Sequence, residues 1–401
     1  MKPLRCLGAF SVCAAFGFSL ACGGGSSSNS SSSSNQTITP SGTNVLSIAV
    51  NSGPTGNYPD AAFASVTVCI PGTSNCQAIN GLLVDTGSSG LRILSSALTL
   101  PLTQQTSNSN PVFECLPFIS GYTWGPVQTA DLQIAGETAS SVAIQVIGTS
   151  TTAPTSCSDN GTADDTLSTL GTNGILGVGL FAQDCGYPSC PASANLYYEC
   201  SSSTSCTPIT ETAAQEVTNP VALFATDNNG VIVELPAASG PEATVTGSLV
   251  FGIGTQSNNA LGSATVYNAD PSTGNFTTTF NGADYNNASF IDSGSNGYFF
   301  PDSSIPGCPT NIAVGFYCPN STDNLSATNQ GISVGSGMVN FSIANAVTEF
   351  DDDPDDAAFP DLGGTATNMF DWGLPFFFGR NVYVAIEGQS APGGTAPYWA
   401  Y

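Results

Sequence analysis

Two stretches of this 401-residue chain hold residue types that can move protons: GLLVDTGSSGL at residues 81–91 and NNASFIDSGSNGYFF at residues 286–300. In each, an apolar run delivers an aspartate, Asp85 or Asp292, followed by a hydroxyl residue, a glycine and a serine. One such triplet among 44 glycines is an ordinary turn whose carboxylate caps backbone amides. Two in matching contexts suggest a pair. Carboxylates within hydrogen-bond reach of each other cannot both ionise, so they share one proton and can serve together as base and acid toward a bound water. Histidine is absent. That removes Ser-His-Asp and Cys-His catalysis and leaves acid–base work to carboxylates, tyrosines and arginines.

The residues beyond each triplet strengthen the pairing. About ninety residues after Asp85 comes NGILGVGL, with Ile175, Leu176 and Gly177; a similar distance after Asp292 comes GLPFFFGRNVYV, with Phe377, Phe378 and Gly379. The order apolar–Asp–Ser/Thr–Gly, long span, apolar–apolar–Gly occurs twice, which predicts two related lobes. GSLVFGIG at residues 247–254 reads as a strand and tight turn opening the second.

With VDTGSSGLR, IDSGSNGYFF and both apolar–apolar–Gly segments in view, the chain resembles pepsin-type aspartic peptidases across roughly residues 45–395. It resembles more closely a bacterial lipoprotein family known as domain of unknown function 3443, which shares LPFFFGRNVYVAIEG as well. The peptidase resemblance implies an all-β, bilobal pepsin-like fold with a substrate cleft between two lobes, and Asp85 and Asp292 facing each other on its floor. It implies an endopeptidase using an activated water, with no metal and no cofactor. Thr86 and Ser293 would tie the two loops together, Gly87 and Gly294 would allow close approach, and Ser88 and Ser295 would donate to the outer carboxylate oxygens. Ile175, Leu176 and Gly177, and likewise Phe377, Phe378 and Gly379, would pack beneath the loops. The family's flap tyrosine has no clear counterpart: Tyr122 and Trp124 in GYTWGP are the candidates, with hairpin packing as the alternative. A non-catalytic cleft that binds a peptide or protein partner is the rival reading.

Elements able to position such loops are legible in the composition. Glycine and proline are abundant (44 and 26), charged residues make up only 8%, and hydrophobic residues 41%; this points to many short strands and turns around a sizeable core. Lysine and arginine total four against 29 acids, so no basic patch exists for nucleic acid. Lys2 and Arg5 belong to a leader, leaving Arg92 and Arg380 as cations that either pair internally or line the cleft.

The expected organisation is a lipoprotein-type signal peptide at 1–22, a Gly/Ser-rich tether at 23–44, a lobe at 45–238 and a second at 239–401. Cys22 is the expected lipidation site, with simple cleavage near Ala21 as the alternative. Partners would be a peptide or protein substrate and, through the lipid, a membrane of the bacterial envelope. Ten further cysteines predict disulfides and an oxidising compartment. Cys69 and Cys76, and Cys308 and Cys318, flank short loops and read as local pairs; the pairing within 185–206 stays open. DDDPDDAAFPDLGG, from Asp351, fails the calcium-loop template at Asp356 and Leu362 and reads as a solvated insertion.

Overall fold

Short runs of Val, Ile, Leu and Phe, each stopped by Gly, Pro, Asn or Ser, become strands in this chain. The computed structural model describes residues 38–39, 41–186, 188–309, 313–352 and 354–401; the expected leader, Cys22 and most of the tether lie outside them. Among the described residues the three α-helices are only four, four and seven residues long. The protein is all-β with barrel-like sheets.

Strands of the first half close on themselves. Cys76–Asp85 pairs with Ala62–Cys69, then Gly121–Ile134, Glu137–Ile147, Ser89–Leu94 and Gly174–Val178, which returns to Cys76–Asp85. Closure leaves no free edge around this ring. A second sheet of seven strands is built from residues 276–372. Between them runs an antiparallel series: Val45–Val50, Val245–Phe251, Gly230–Leu235, Arg380–Ala385, Tyr398–Ala400 and Val266–Asn268. The expected boundary at 238/239 therefore falls in a hairpin turn, since Gly230–Leu235 and Val245–Phe251 are paired neighbours. Chain from both sides of it contributes to one sheet.

The same local weave occurs beside each aspartate. Gly174–Val178 lies between the strand that ends at Asp85, in parallel, and Ser89–Leu94, antiparallel. Phe370–Trp372 lies in the same way between Ala283–Ile291, which leads to Asp292, and Tyr298–Phe299. Around the second weave, Phe300 stacks on Phe370 at 4.9 Å and Trp372 donates its indole N–H to Thr278 Oγ1 at 3.2 Å. Such a rigid aromatic wall fixes the strand from below.

All ten cysteines beyond Cys22 pair: Cys69–Cys76, Cys115–Cys157, Cys185–Cys190, Cys200–Cys206 and Cys308–Cys318. Both local pairs expected from the loops are present, and five disulfides are consistent with an oxidising, exported compartment. The acidic stretch from Asp351 is less solvated than expected. Asp351 and Asp352 are exposed, but Ala357, Ala358 and Phe359 are buried. There the Asp60 N–H donates to the Ala357 carbonyl and the Phe359 N–H to Asp60 Oδ1, both at 2.7 Å, docking the insertion on the first half.

Arg92 does not line a cleft. It is fully buried on Ser89–Leu94, bonded to Glu114 Oε1 (2.5 Å), Asp184 Oδ2 (2.8 Å) and the Ser89 carbonyl (2.8 Å). Tyr197 donates its hydroxyl to Asp184 at 2.8 Å and accepts from the Val217 N–H at 2.7 Å, closing the network. Burial alone would weaken the guanidinium's hold on its proton, and the Glu114 and Asp184 charges more than offset that. Arg380 is half-buried, 4.5 Å over the Phe376 ring, and donates to the Phe376 carbonyl at 2.6 Å. Arg92→Gln strands two buried carboxylates, so unfolding titrations near neutral pH should show a loss of about 3–5 kcal/mol. That deficit should shrink in acid as Glu114, whose burial strengthens its hold on a proton, becomes neutral; a variant as stable as the parent at neutral pH would refute the pairing.

Candidate active site

Asp85 closes its strand and Asp292 follows its own, and neither has any exposed surface. Their loops are joined by four reciprocal hydrogen bonds. The Thr86 N–H donates to Ser293 Oγ (3.1 Å) and the Ser293 N–H to Thr86 Oγ1 (2.9 Å). In turn the Thr86 hydroxyl donates to the Ile291 carbonyl (2.9 Å) and the Ser293 hydroxyl to the Val84 carbonyl (2.7 Å). This exchange relates the loops by an approximate twofold and brings the carboxyl groups together. A methyl group on Gly87 would lie 2.7 Å from the Asp292 carboxyl carbon, so only glycine fits there.

Each carboxyl is held by its own loop. The Gly87 N–H donates to Asp85 Oδ1 and the Gly294 N–H to Asp292 Oδ1, both at 2.8 Å. Ser88 donates to Asp85 Oδ2, and Ser295 lies 3.0 Å from Asp292 Oδ2. Burial first, then the neighbouring Asp292 charge and a side-chain hydrogen bond with it, hold the Asp85 carboxyl well above the usual carboxylate range. A pair in this state retains a proton where isolated carboxylates have lost theirs.

Gly177 packs beside Asp85 as expected, in parallel register, with Leu176 opposite Val84 and Ile175 opposite Leu83. The second half departs from expectation. Phe377, Phe378 and Gly379 do not lie alongside Asp292; Trp372 pairs with Ile291, and the Asp292 N–H donates to the Trp372 carbonyl at 3.0 Å. Asp371, Trp372 and Gly373 thus occupy the places of Ile175, Leu176 and Gly177. Gly373 shares the close packing: a Cβ there would meet the Gly297 carbonyl oxygen at 2.1 Å. Pro375 explains the offset, since its locked φ and missing N–H turn the chain into the 3-10 segment Leu374–Phe377 instead of prolonging the strand.

That shift puts an acid where the first half has Ile175. Asp371 is 1% exposed, and its Oδ2 lies 2.6 Å from Ser295 Oγ. The serine's single proton cannot serve both Asp292 and Asp371. Burial, then the Asp292 charge, push the Asp371 carboxyl well above its ordinary range, while the hydrogen bond from Ser295 works the other way; the shift favours the neutral acid, the form that would leave the serine's proton for Asp292. A search for apolar–apolar–Gly passes over it; the acid-Trp-Gly triplet shortly before a proline was the available signal.

Tyr122 and Trp124 do not reach the pair. Trp124 stacks on Phe113 (5.2 Å), meets Tyr198 edge-on (5.4 Å) and donates to the Thr151 carbonyl (2.9 Å). Tyr122 packs in the same cluster, against the Cys115–Cys157 disulfide region. Two places apart on the strand Gly121–Ile134, both share the face that packs into this cluster. The aromatic hydroxyl that does feel both carboxyls belongs to Tyr58, which is buried and has no hydrogen-bond partner among the described residues.

Beside the pair opens a cavity of about 400 Å³. Thr86 and Gly87 form its inner edge, with Leu180, Phe181, Phe290, Met369 and Trp399 on the walls and Asn275, Asn287 and Asn368 at the rim. Neither arginine lines it.

Comparison with known proteins adds one match. The model of a family described as "Protein of unknown function (DUF3443)" covers residues 40–401. No curated protein matches the chain.

Several site carboxyls bind protons more tightly in the folded chain than unfolded: Asp85 and Asp371 strongly, and Asp164, pushed up to about 6 chiefly by burial. Each contributes stability that is present below the ordinary carboxylate range and lost as pH rises through its raised value. The melting temperature should therefore be higher at about pH 4 than at about pH 8. Asp85→Asn should raise it at the higher pH only; a melting profile indifferent to both changes would contradict the assignment.

Proposed function

The chain belongs to this family of proteins of unknown function, and we propose that it is an aspartic-type peptidase whose Asp85/Asp292 pair activates a water. The observation that carries the reading is the reciprocal Thr86–Ser293 bonding, which holds two buried carboxyls against each other, an arrangement that favours one proton shared between them. A binding cleft has no use for so costly an arrangement, because burying like carboxyls is unfavourable unless they share protons. The repeated weave beside each aspartate fits a bilobal, pepsin-like architecture with its cleft at the pair.

In the proposed reaction the ionised aspartate takes a proton from water as its oxygen bonds to the peptide carbonyl carbon, and the protonated aspartate donates to the carbonyl oxygen. The resulting diol collapses: the C–N bond breaks, the amine leaves with a proton from the first aspartate, and the second recovers its proton from the diol hydroxyl. Aspartic peptidases in general work through two aspartates that share one proton in this way. Gly87 and Gly294 N–H groups and Ser88 and Ser295 fix the carboxyl planes. Asp371 acts through Ser295: neutral, it lets the serine serve Asp292; ionised, it adds a third negative charge.

The rival reading, a non-catalytic peptide-binding cleft, draws on the packing of Tyr122 and Trp124 away from the pair. Export and lipid attachment through Cys22 complete the proposal.

Cleavage of an unfolded protein by the oxidised chain, followed from about pH 3 to 7, decides between them. Activity peaking in acid, abolished by Asp292→Asn and by a hydroxyl-bearing peptide isostere, is the expected result. Asp371→Asn should leave the acid side of the profile unchanged and move the alkaline limb to lower pH, because Asp371, once it ionises at higher pH, adds a charge that helps the pair keep its proton. No cleavage by folded protein, with no isostere binding, would favour the binding cleft.

A further inference from the structure

A strand's backbone groups point alternately to its two sides, so a strand with one neighbour leaves half of them unmet. Among the described residues, Ser336–Ile343 is the one strand of five residues or more that pairs with a single other strand. Its partner is Asp323–Gln330, in register without a bulge from Asp323 opposite Ile343 to Gln330 opposite Ser336. Even the short strand Val266–Asn268 has its outer side capped: the Asn268 N–H donates to the Val334 carbonyl at 3.3 Å, and the Ile332 N–H to the Asn268 carbonyl at 3.0 Å.

Which groups stay open follows from the turn. The Gly331 N–H donates to the Gly335 carbonyl at 2.9 Å, so from that pair onward the odd-numbered residues bond to Asp323–Gln330. The amides and carbonyls of Met338, Asn340 and Ser342 therefore point the other way, where no backbone partner meets them among the described residues. Ala344 shows the same phase: its N–H donates to the Asp361 carbonyl at 2.9 Å, which ends the open stretch.

The usual protections of an edge are missing. From Asn324 to Thr348 there is no charged residue and no proline. Met338 is 70% exposed on the strand, and Ile332 and Val334 are 50% and 56% exposed on the turn. That turn is fixed by its bonds to Asn268 and by Gly331 and Gly335, where a Cβ would meet the Val334 and Val266 carbonyl oxygens at 2.0 Å. In a chain of formal charge −25, an uncharged edge is where two copies meet with least repulsion. Asp323 and Asp361 both lie at its Ile343 end. Antiparallel pairing of two copies sets that end against the uncharged turn of the other, whereas parallel pairing stacks acids on acids. A register centred on Asn340 matches outward groups with outward groups, places Met338 opposite Ser342 and keeps Val339 and Phe341 together on the buried face.

We propose that Ser336–Ile343 is a dimer interface: two copies join antiparallel through this strand about a twofold axis at Asn340, so that the seven-stranded sheet of one continues into that of the other. The inference rests on strand order and charge and is independent of the aspartate chemistry. An interface of one strand and a turn is small, so the association is weak and reversible.

Sedimentation of the oxidised full chain from about 1 to 100 µM should show monomer giving way to dimer and to nothing larger, because a twofold interface closes on itself. Salt, which screens the repulsion between two acidic molecules, should favour the dimer. Amide exchange at Met338, Asn340 and Ser342 should slow as concentration rises, while Val339 and Phe341, already bonded, stay unchanged. Asn340→Pro removes an outward N–H that the single chain does not use, and Met338→Asp puts a charge on the edge; both should abolish the dimer and leave the monomer folded. Asn340→Cys should give a disulfide-linked dimer on oxidation, and Ser326→Cys, opposite it on the inner strand, should not. A chain that stays monomeric at about 100 µM in high salt overturns the proposal. So does a dimer that survives Met338→Asp or is not linked through Asn340→Cys.

Discussion

Two carboxyl groups on different loops stay in contact only if something outweighs their repulsion and desolvation. Here that something is the exchange between Thr86 and Ser293, in which each hydroxyl accepts from the opposite backbone N–H and donates to the carbonyl before the opposite aspartate. Four buried hydrogen bonds satisfy both hydroxyls and set the distance between the strands behind them. The closed ring of the first half and the aromatic wall of the second are what keep those strands from drifting apart. Gly87 is the other half of the constraint, since any side chain there would occupy the space of the Asp292 carboxyl.

The symmetry of that exchange makes the departures from it informative. Ile175 behind Asp85 is apolar, while Asp371 in the matching place behind Asp292 is an acid in hydrogen-bond contact with Ser295. Leu83, two places before Asp85, is sealed, while Phe290, two places before Asp292, faces a cavity. A symmetric pair cannot distinguish its two members; these differences in burial and charge can, and they give the proposed base and acid separate surroundings.

Much of this was legible in the sequence where local chemistry decides it. The two aspartates, their hydroxyl and glycine neighbours, the all-β character and the two short disulfide loops could all be read from residue type and spacing. The offset in the second half could not, because the pattern sought was apolar and Asp371 is not; Pro375 carried the warning, as a residue that ends strands. Tyr122 and Trp124 misled because an aromatic beside a hairpin turn packs inward or outward according to strand register, which spacing alone leaves open. Arg92 was visible as one of few cations, but its partners lie 22 and 92 residues away, on strands and loops that only the folded ring assembles. Tyr58 gave no signal: it lies in the loop between Val45–Val50 and Ala62–Cys69 and packs with Leu83, Leu170 and Gly171, which only the fold brings to it.

Everything proposed for the site rests on one proton shared by two carboxyls. Carbon-detected NMR of the side-chain carboxyls of Asp85 and Asp292, followed across pH, reads it directly. Two separated steps are expected for the pair, the later one well above the ordinary aspartate value of about 4, collapsing to a single step when either residue is changed to asparagine. Independent titration of both carboxyls near about 4 would contradict the account.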